Sequence, residues 1–303
     1  EKQNNFVSTT NEVLSRLSTC SQKGLVEMFD SSIGNNTIIS PYGGKYFQTE
    51  SEAMAALIPV LGKETTTCSI MSYGFNPNIS SWSPYHGSMY SIVESVSKIV
   101  AMGGNYHTIR FSFQEFFEKL LNNPIKWGKP YSALLGAYRV QEELKLPSIG
   151  GKDSMSGTFE DIDVPPTLVS FAVTTECIDN IISNEFKLPG SKVVVVSPEY
   201  DENNLPKTDS LLALFDEVVS LMRDGKVLSA YTPTFGGVAE AVMKMAFGNG
   251  FGFTFDSTLS LEDIFGYCYG SFLLELSEDM EIGTAIGYVT EEKAFAYGAE
   301  KLC

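Results

Sequence analysis

Apolar residues at Met89, Val93, Val96 and Val100 recur at steps of four, three and four, which predicts one stripe of an α-helix. Gly103-Gly104 supplies its stop, because glycine readily takes the left-handed conformation that ends a helix. A second helix is predicted from about Tyr131 to Leu144, with Pro130 at its start and Pro147 after it. Residues 8–20 read as a short amphipathic helix with Thr9 and Glu12 as a capping box. Short strands are predicted at Gly24 to Asp30 and Thr37 to Ile39, around a Gly/Asn turn. Residues 65–88, rich in Ser, Thr, Gly, Asn and Pro, read as one long loop. The apolar run Thr167 to Thr175, bounded by Pro165-Pro166, predicts a core strand.

The turn Leu188-Pro189-Gly190-Ser191 separates two patterns and predicts domains at 1–187 and 188–303. Beyond it come a four-valine strand at Lys192 to Val196 and an amphipathic helix over 208–223. A strand at Val227 to Tyr231, a turn at Phe235-Gly236-Gly237 and a helix at Val238 to Phe247 follow. Strands near 251–255 and 271–276 complete an α/β pattern.

A length of 303 residues suffices for two cores, and 43% apolar with 19% charged residues is ordinary globular composition. The formal charge of −16 argues against a nucleic-acid partner, since a phosphate backbone needs a positive face. Five scattered cysteines with no C-x-x-C pair indicate neither zinc nor a disulfide framework; they read as reduced, mostly buried thiols of a cytoplasmic protein. No run of about 18 apolar residues and no signal-peptide core occurs, so no membrane partner is expected. A chain opening at Glu1 is expected of a piece excised from a longer protein.

The most informative stretch is 147–159, Pro-Ser-Ile-Gly-Gly-Lys-Asp-Ser-Met-Ser-Gly-Thr-Phe. As a tight turn, its glycines would reach positive φ and aim amide protons at an anion. Lys152 adds a mobile positive charge, Asp153 a carboxylate suited to Mg²⁺, and Ser154 and Ser156 hydroxyls. The spacing is not that of a Walker A loop. A solvated hairpin turn would use the same glycines.

Other groups are less specific. His86 and His107 lack any Gly-x-Ser-x-Gly elbow, which disfavours a Ser-His-Asp hydrolase and leaves both as surface or capping residues. Glu94 and Lys98, four apart, form either a helix-surface ion pair or a carboxylate facing a nucleotide cleft, with an ammonium where a cation would sit. The strand–turn–helix element 231–241 either holds an anion at its helix N-terminus or simply turns tightly; the second is preferred. Arg110, Trp127 and Phe111, Phe113, Phe116 and Phe117 read as core and rim packing.

Together these pieces resemble the second half of the large-type phosphoribosylformylglycinamidine synthases, ATP- and glutamine-dependent enzymes of purine biosynthesis. The resemblance covers nearly the whole chain. It rests on Gly24-Leu-Val-Glu-Met-Phe-Asp-Ser-Ser-Ile-Gly34, Tyr85-His-Gly-Ser-Met-Tyr-Ser-Ile-Val-Glu-Ser95, Gly150-Gly-Lys-Asp-Ser-Met-Ser156 and Phe235-Gly-Gly-Val-Ala-Glu240. The Gly-Lys-Asp-Ser-Met-Ser string is the most specific of them. The resemblance implies an α+β fold: an aminoimidazole-ribonucleotide-synthetase-like N-domain, whose sheet pairs into a barrel with a partner copy, then an α/β C-domain. The implied reaction is an amidoligation. ATP phosphorylates the amide oxygen of formylglycinamide ribonucleotide, and glutamine-derived ammonia displaces phosphate, with Mg²⁺ stabilising the transferring group.

By the same resemblance, Gly151, Lys152 and Asp153 approach ATP, Ser154 contacts substrate, and Glu94 matches a metal-binding glutamate of an auxiliary nucleotide site. No catalytic residue is implied here, because Gln48-Thr49-Glu50-Ser51-Glu52-Ala53 stands where the catalytic half carries Glu-Thr-His-Asn-His-Pro. Lys98 replaces an expected asparagine, and Thr232-Pro233-Thr234 replaces a metal-binding aspartate, so the auxiliary site is expected to be empty. The implied partners are the first half of the synthase and its glutaminase domain. The isolated fragment is expected to be inactive and to dimerise through its N-domain sheet as an eight-stranded barrel. The alternative is a structural half that scaffolds the synthase without touching ligand.

Overall fold

A computed structural model of the protein describes residues 5–29 and 36–303. Asp30, Gly34 and most of the predicted Gly/Asn turn lie outside the described residues. Six of the strands between Thr37 and Cys177 form one sheet, in the order Thr37–Ile39, Met54–Leu57, Thr67–Gly74, Thr167–Cys177, Arg110–Phe116, Ser148–Lys152. Its pairs are antiparallel except the last, which is parallel.

The segment 65–88, expected to be a loop, is mostly regular structure. Cys68, Ile70 and Ser72 alternate inward along the strand Thr67–Gly74, and period-two burial outweighs the polar composition. Asn76 and Ser83 then cap the helices Pro77–Trp82 and Pro84–Ala101, each with proline at its first position. The predicted apolar stripe is buried. So are Ser88, Ser91, Ser95 and Ser97, because the long helix lies between the sheet and the helix Pro124–Leu144. Burying side chains such as Ile92 and Ile99 contributes about 1.5–3 kcal/mol each. The second helix starts at Pro124, earlier than predicted, with Asn123 as its cap and Pro130 inside it.

Alternate residues on the other face of this sheet stay open to solvent. Met71, Tyr73 and Phe171 are exposed, with Tyr73 paired to Phe171 and Met71 to Met54 across adjacent strands.

The strands from Lys192 to Leu302 form a second sheet, in the order Val227–Tyr231, Phe272–Leu276, Lys192–Val196, Thr284–Thr290, Gly252–Phe255, Phe295–Tyr297, Glu300–Leu302. All but one of its pairs are antiparallel, so this part is α+β rather than the expected parallel-rich α/β arrangement. Strand adjacency is set by partners distant in sequence, which the alternation of strands and helices did not reveal.

The N-terminal helix spans Phe6–Leu14 and is capped by Asn5 with Ser8, not by the predicted Thr9 and Glu12. It packs on the second sheet, although the sequence grouped it with 1–187. Phe6 is fully buried against Phe255 and Tyr297, and the Glu300 carboxylate accepts from the amides of Phe6 and Val7. The predicted strand at Gly24 onward is instead a helical turn, Lys23–Val26. On the second sheet, the fully buried Glu275 carboxylate accepts from the amides of Lys187 and Leu188 and from the hydroxyls of Ser191 and Ser229. The connecting segment is thereby fastened to the second sheet.

Candidate functional site

Two helices carry glutamate and lysine four residues apart, and the fold brings both pairs to one small cavity of about 90 Å³. Glu94 and Lys98 lie on Pro84–Ala101; Glu240 and Lys244 lie on Gly237–Phe247. Glu50, Glu52, Tyr73 and Tyr231 are also in the lining. Gly74 makes the approach possible, because a Cβ there would meet the Ser91 carbonyl oxygen at 2.1 Å and the Glu94 Cβ at 2.9 Å.

Lys98 Nζ donates to Glu94 Oε1 at 2.7 Å and to the Tyr73 carbonyl at 3.0 Å, and stands 4.6 Å from the Tyr73 ring centroid. Glu94 Oε2 accepts from the Phe75 amide. Lys244 Nζ bridges Glu240 Oε1 at 2.7 Å and Glu50 Oε2 at 2.8 Å. Glu52 Oε2 accepts from both the amide and the hydroxyl of Thr232, at 3.0 and 2.5 Å. Glu52, Glu94 and Glu240 are all buried. The Glu94–Lys98 pair is therefore no solvated surface bridge.

Burial pushes the Glu52 carboxyl up to about 7, against the pull of the Lys98 ammonium and the Thr232 donors. Burial would lower Lys98, but Glu94 and Glu52 outweigh it and hold the ammonium protonated above its ordinary range. Lys244 is raised in the same way by Glu240 and Glu50. Burial, then the Glu52 charge, raises Tyr231 far above an ordinary phenol.

This chemistry does not fit Mg²⁺. Both ammonium groups sit within 3 Å of the oxygens that a divalent cation would have to coordinate. Among the described residues, no group of three or more His, Cys, Asp or Glu could hold a metal. In the turn before Gly237–Phe247 the Gly236 amide is taken by Glu240 Oε2 at 2.6 Å, and the Gly237 amide by the Thr234 carbonyl.

The stretch singled out from the sequence adopts a different form from the expected tight turn. Ser148–Lys152 is an exposed edge strand in parallel register with Arg110–Phe116, pairing Gly150 with Ser112, Gly151 with Phe113 and Lys152 with Gln114. Neither glycine has positive φ. Gly151 is required by close approach, since a Cβ would sit 2.4 Å from the Phe113 carbonyl oxygen. The Lys152 ammonium makes no hydrogen bond or ion pair among the described residues. Beyond the strand, the Ser154 amide donates to Glu115, its carbonyl accepts from Phe117, and its hydroxyl pairs with that of Ser156 at 2.8 Å.

One row of the sheet runs from Gly74, the strand residue that packs against Glu94 of the helix, to this strand. Gly74, beside Glu94, pairs with Ser170, which pairs with Phe113, which pairs with Gly151. Three strand spacings separate the ends of the row, roughly 14 Å. The fold thus keeps Gly151, Lys152, Asp153 and Ser154 together and Glu94 apart from them.

Sequence reasoning missed Glu50, Glu52, Glu240 and Lys244. The Glu240/Lys244 spacing repeats that of Glu94/Lys98 and was the available signal. It also missed Glu115, an inward-facing carboxylate whose Oε2 is buried without a hydrogen-bond partner. Burial, then the nearby Asp153 charge, pushes Glu115 up to about 7. His86 acts in a helix cap with Ser83, and His107 is exposed beside Asp216. Of the five cysteines only Cys68 is buried, fewer than expected, and all are free.

No protein-family model matches the chain. The PurL subunit of phosphoribosylformylglycinamidine synthase from Thermoplasma acidophilum is 24% identical over 308 residues, 93% of this chain and 39% of its own. The Thermoplasma volcanium subunit is 23% identical over 87% of this chain and 37% of its own. Among solved structures, T. maritima PurL complexed with FGAR matches 99% of this chain and 52% of that one, with a TM-score of 0.70 and 12% identity. AaThiL complexed with AMPPCP and TMP matches 95% of this chain and 96% of that one, with a TM-score of 0.62 and 15% identity. This chain spans about two-fifths of the length of the curated relatives it matches. No described helix is long and apolar enough to cross a membrane. The resemblance read from the sequence therefore holds: over nearly its whole length the chain is similar to the PurL subunit of phosphoribosylformylglycinamidine synthase, and it shares the mixed α and β fold of PurL and ThiL.

Proposed function

We propose that this chain is the second-half unit of a phosphoribosylformylglycinamidine synthase, with the strand Ser148–Lys152 contributing to an active site completed by a first half. The overall reaction is ATP-dependent conversion of formylglycinamide ribonucleotide and glutamine-derived ammonia to the amidine. Similarity to PurL along nearly the whole chain supports this reading. The observation that carries ligand contact is Lys152, an unpaired ammonium on an exposed edge strand beside Asp153 and Ser154. Gly151 and Lys152 approach the nucleotide phosphates, Asp153 stands near its metal, and Ser154 contacts substrate. Lys152 and its neighbours bind and orient; no group here is positioned to transfer a proton in the reaction. A first half and a glutaminase are the partners, and the setting is the cytoplasm.

A second reading, a non-catalytic scaffold, draws support from the two lysines that fill the buried carboxylate cluster. Lys152→Ala and Ser154→Ala in the complete synthase separate the two. Loss of roughly 100-fold or more in kcat/KM with an unchanged melting temperature supports ligand contact. Unchanged turnover supports the scaffold.

A further inference from the structure

A cavity of about 620 Å³ opens where the helices Pro77–Trp82 and Pro84–Ala101 face the second sheet and its loops. That volume is in the range of small-molecule sites. Tyr269 stands between it and the carboxylate–lysine cluster: its ring lines the cavity, and its hydroxyl accepts from Asn76 Nδ2 at 2.8 Å. Burial, then the Glu94 charge, raises that phenol far above its ordinary range, so the hydroxyl stays neutral.

The walls are aromatic. Tyr90 and Tyr269 contact each other with ring centroids 5.0 Å apart, and Tyr267 meets Tyr269 edge-on at 6.0 Å. Trp82 and Tyr267 line the cavity with 75% and 54% of their surfaces exposed, and Trp82 also meets the His86 ring at a centroid distance of 5.3 Å, so the wall offers aromatic faces on which a planar ligand can stack. Polar groups are present without partners: the side-chain amides of Asn203 and Asn204 make no hydrogen bond among the described residues.

The lining is predominantly acidic. Glu262 and Asp263 line the cavity, no lysine or arginine does, and its one basic side chain is His86, whose Nδ1 is hydrogen-bonded to the Ser83 hydroxyl at 2.8 Å. Asp263 is occupied as a cap with Ser260 and is held below the ordinary carboxylate range by those donors, so it stays ionised. Glu262 makes no hydrogen bond or ion pair through its side chain among the described residues. A phosphate placed here would meet two carboxylates against a single imidazole, His86, within a chain of formal charge −16.

We propose that this cavity binds a planar heteroaromatic ligand, neutral or cationic and without phosphate, stacked between Trp82 and the tyrosine walls, and that it rejects the phosphorylated form of the same ring. The site is separate from the Ser148–Lys152 strand, and its occupancy does not depend on the synthase reading.

The test is a fluorescence titration of the Trp127→Phe chain, in which Trp82 is the only tryptophan. The probes are adenosine, guanosine, cytidine and uridine, each against its 5′-monophosphate. At least one nucleoside should quench Trp82 saturably, with its monophosphate at least about tenfold weaker. Tyr267→Ala should weaken that nucleoside about fivefold or more, and Glu262→Gln should narrow the nucleoside–nucleotide gap. No saturable response to any nucleoside up to about 5 mM, a monophosphate that binds as tightly as its nucleoside, or a gap unmoved by Glu262→Gln overturns the proposal.

Discussion

Replacing Lys98 with methionine keeps its apolar stem and removes the charge that balances two buried carboxylates. At the 2.7 Å separation from Glu94 and an effective dielectric constant near 20, the Coulomb attraction is about 6 kcal/mol. Desolvating both groups offsets much of it, so the pair adds less net stability than that figure. Breaking it is another matter, because Glu94 then stays buried without its cation; such truncations cost about 3–5 kcal/mol. For a chain of this size that corresponds to a fall in melting temperature of roughly 6 °C or more. Urea unfolding at neutral pH, followed by circular dichroism, reads the difference directly. Lys98→Asn, which restores the residue expected from the family resemblance, should be destabilised similarly and should recover part of the loss in millimolar Mg²⁺, while the wild-type chain is indifferent to the ion. A loss below about 1 kcal/mol for Lys98→Met would mean that the carboxylates are neutral or solvated and would refute the charge-balance argument. Loss without recovery in Lys98→Asn would leave the pair structural and defeat the claim that the ammonium stands in a cation's place.

Glu52 gives a pH prediction. Its proton is held more tightly in the folded chain, up to about 7 against an ordinary 4.5, so the contribution to stability is complete at low pH and disappears as pH rises through 7. Relative to Glu52→Gln, the wild-type chain should lose up to roughly 3 kcal/mol between pH 4.5 and 8, and parallel stability curves for the two would contradict the assignment. The open face of the first sheet gives another. Light scattering at micromolar concentration should find a dimer through the Met71, Tyr73 and Phe171 row, and Phe171→Asp should make it monomeric; a monomeric wild-type chain counts against sheet-to-sheet pairing.

Local signals were legible where one residue type carries one physical constraint. The stripe Met89, Val93, Val96, Val100 is buried in the helix Pro84–Ala101, Gly103 takes positive φ just after it, and the valines of Lys192–Val196 form a central strand. Composition misled where burial pattern decided. Residues 65–88 are rich in Ser, Thr, Gly, Asn and Pro, yet 67–74 within them bury every second side chain. Ser148–Lys152 has two glycines yet needs neither for a turn; one of them answers to the close Phe113 carbonyl on a strand distant in sequence. Gly151 was therefore found by inspection of the motif, but its reason was a tertiary contact.

The carboxylate–lysine cluster shows why spacing alone could not settle Glu94. On an isolated helix, glutamate four residues before lysine is a surface pair worth about 0.3–0.5 kcal/mol, and the same spacing at Glu240 and Lys244 invites the same reading. Two features turn both pairs inward. Gly74 lets a strand end press against the helix at Ser91 and Glu94, and the Thr49–Glu50 strand brings the Glu50 carboxylate to Lys244. Each ammonium then becomes the positive charge of a largely buried carboxylate site. A unit so filled has little to offer a nucleotide at that position, whereas Lys152, next to the Gly151 end of that row and three strands away, has an ammonium with no partner among the described residues. If the chain contacts a phosphorylated ligand, the balance of buried and exposed charge therefore places that contact at the sheet edge, away from Glu94.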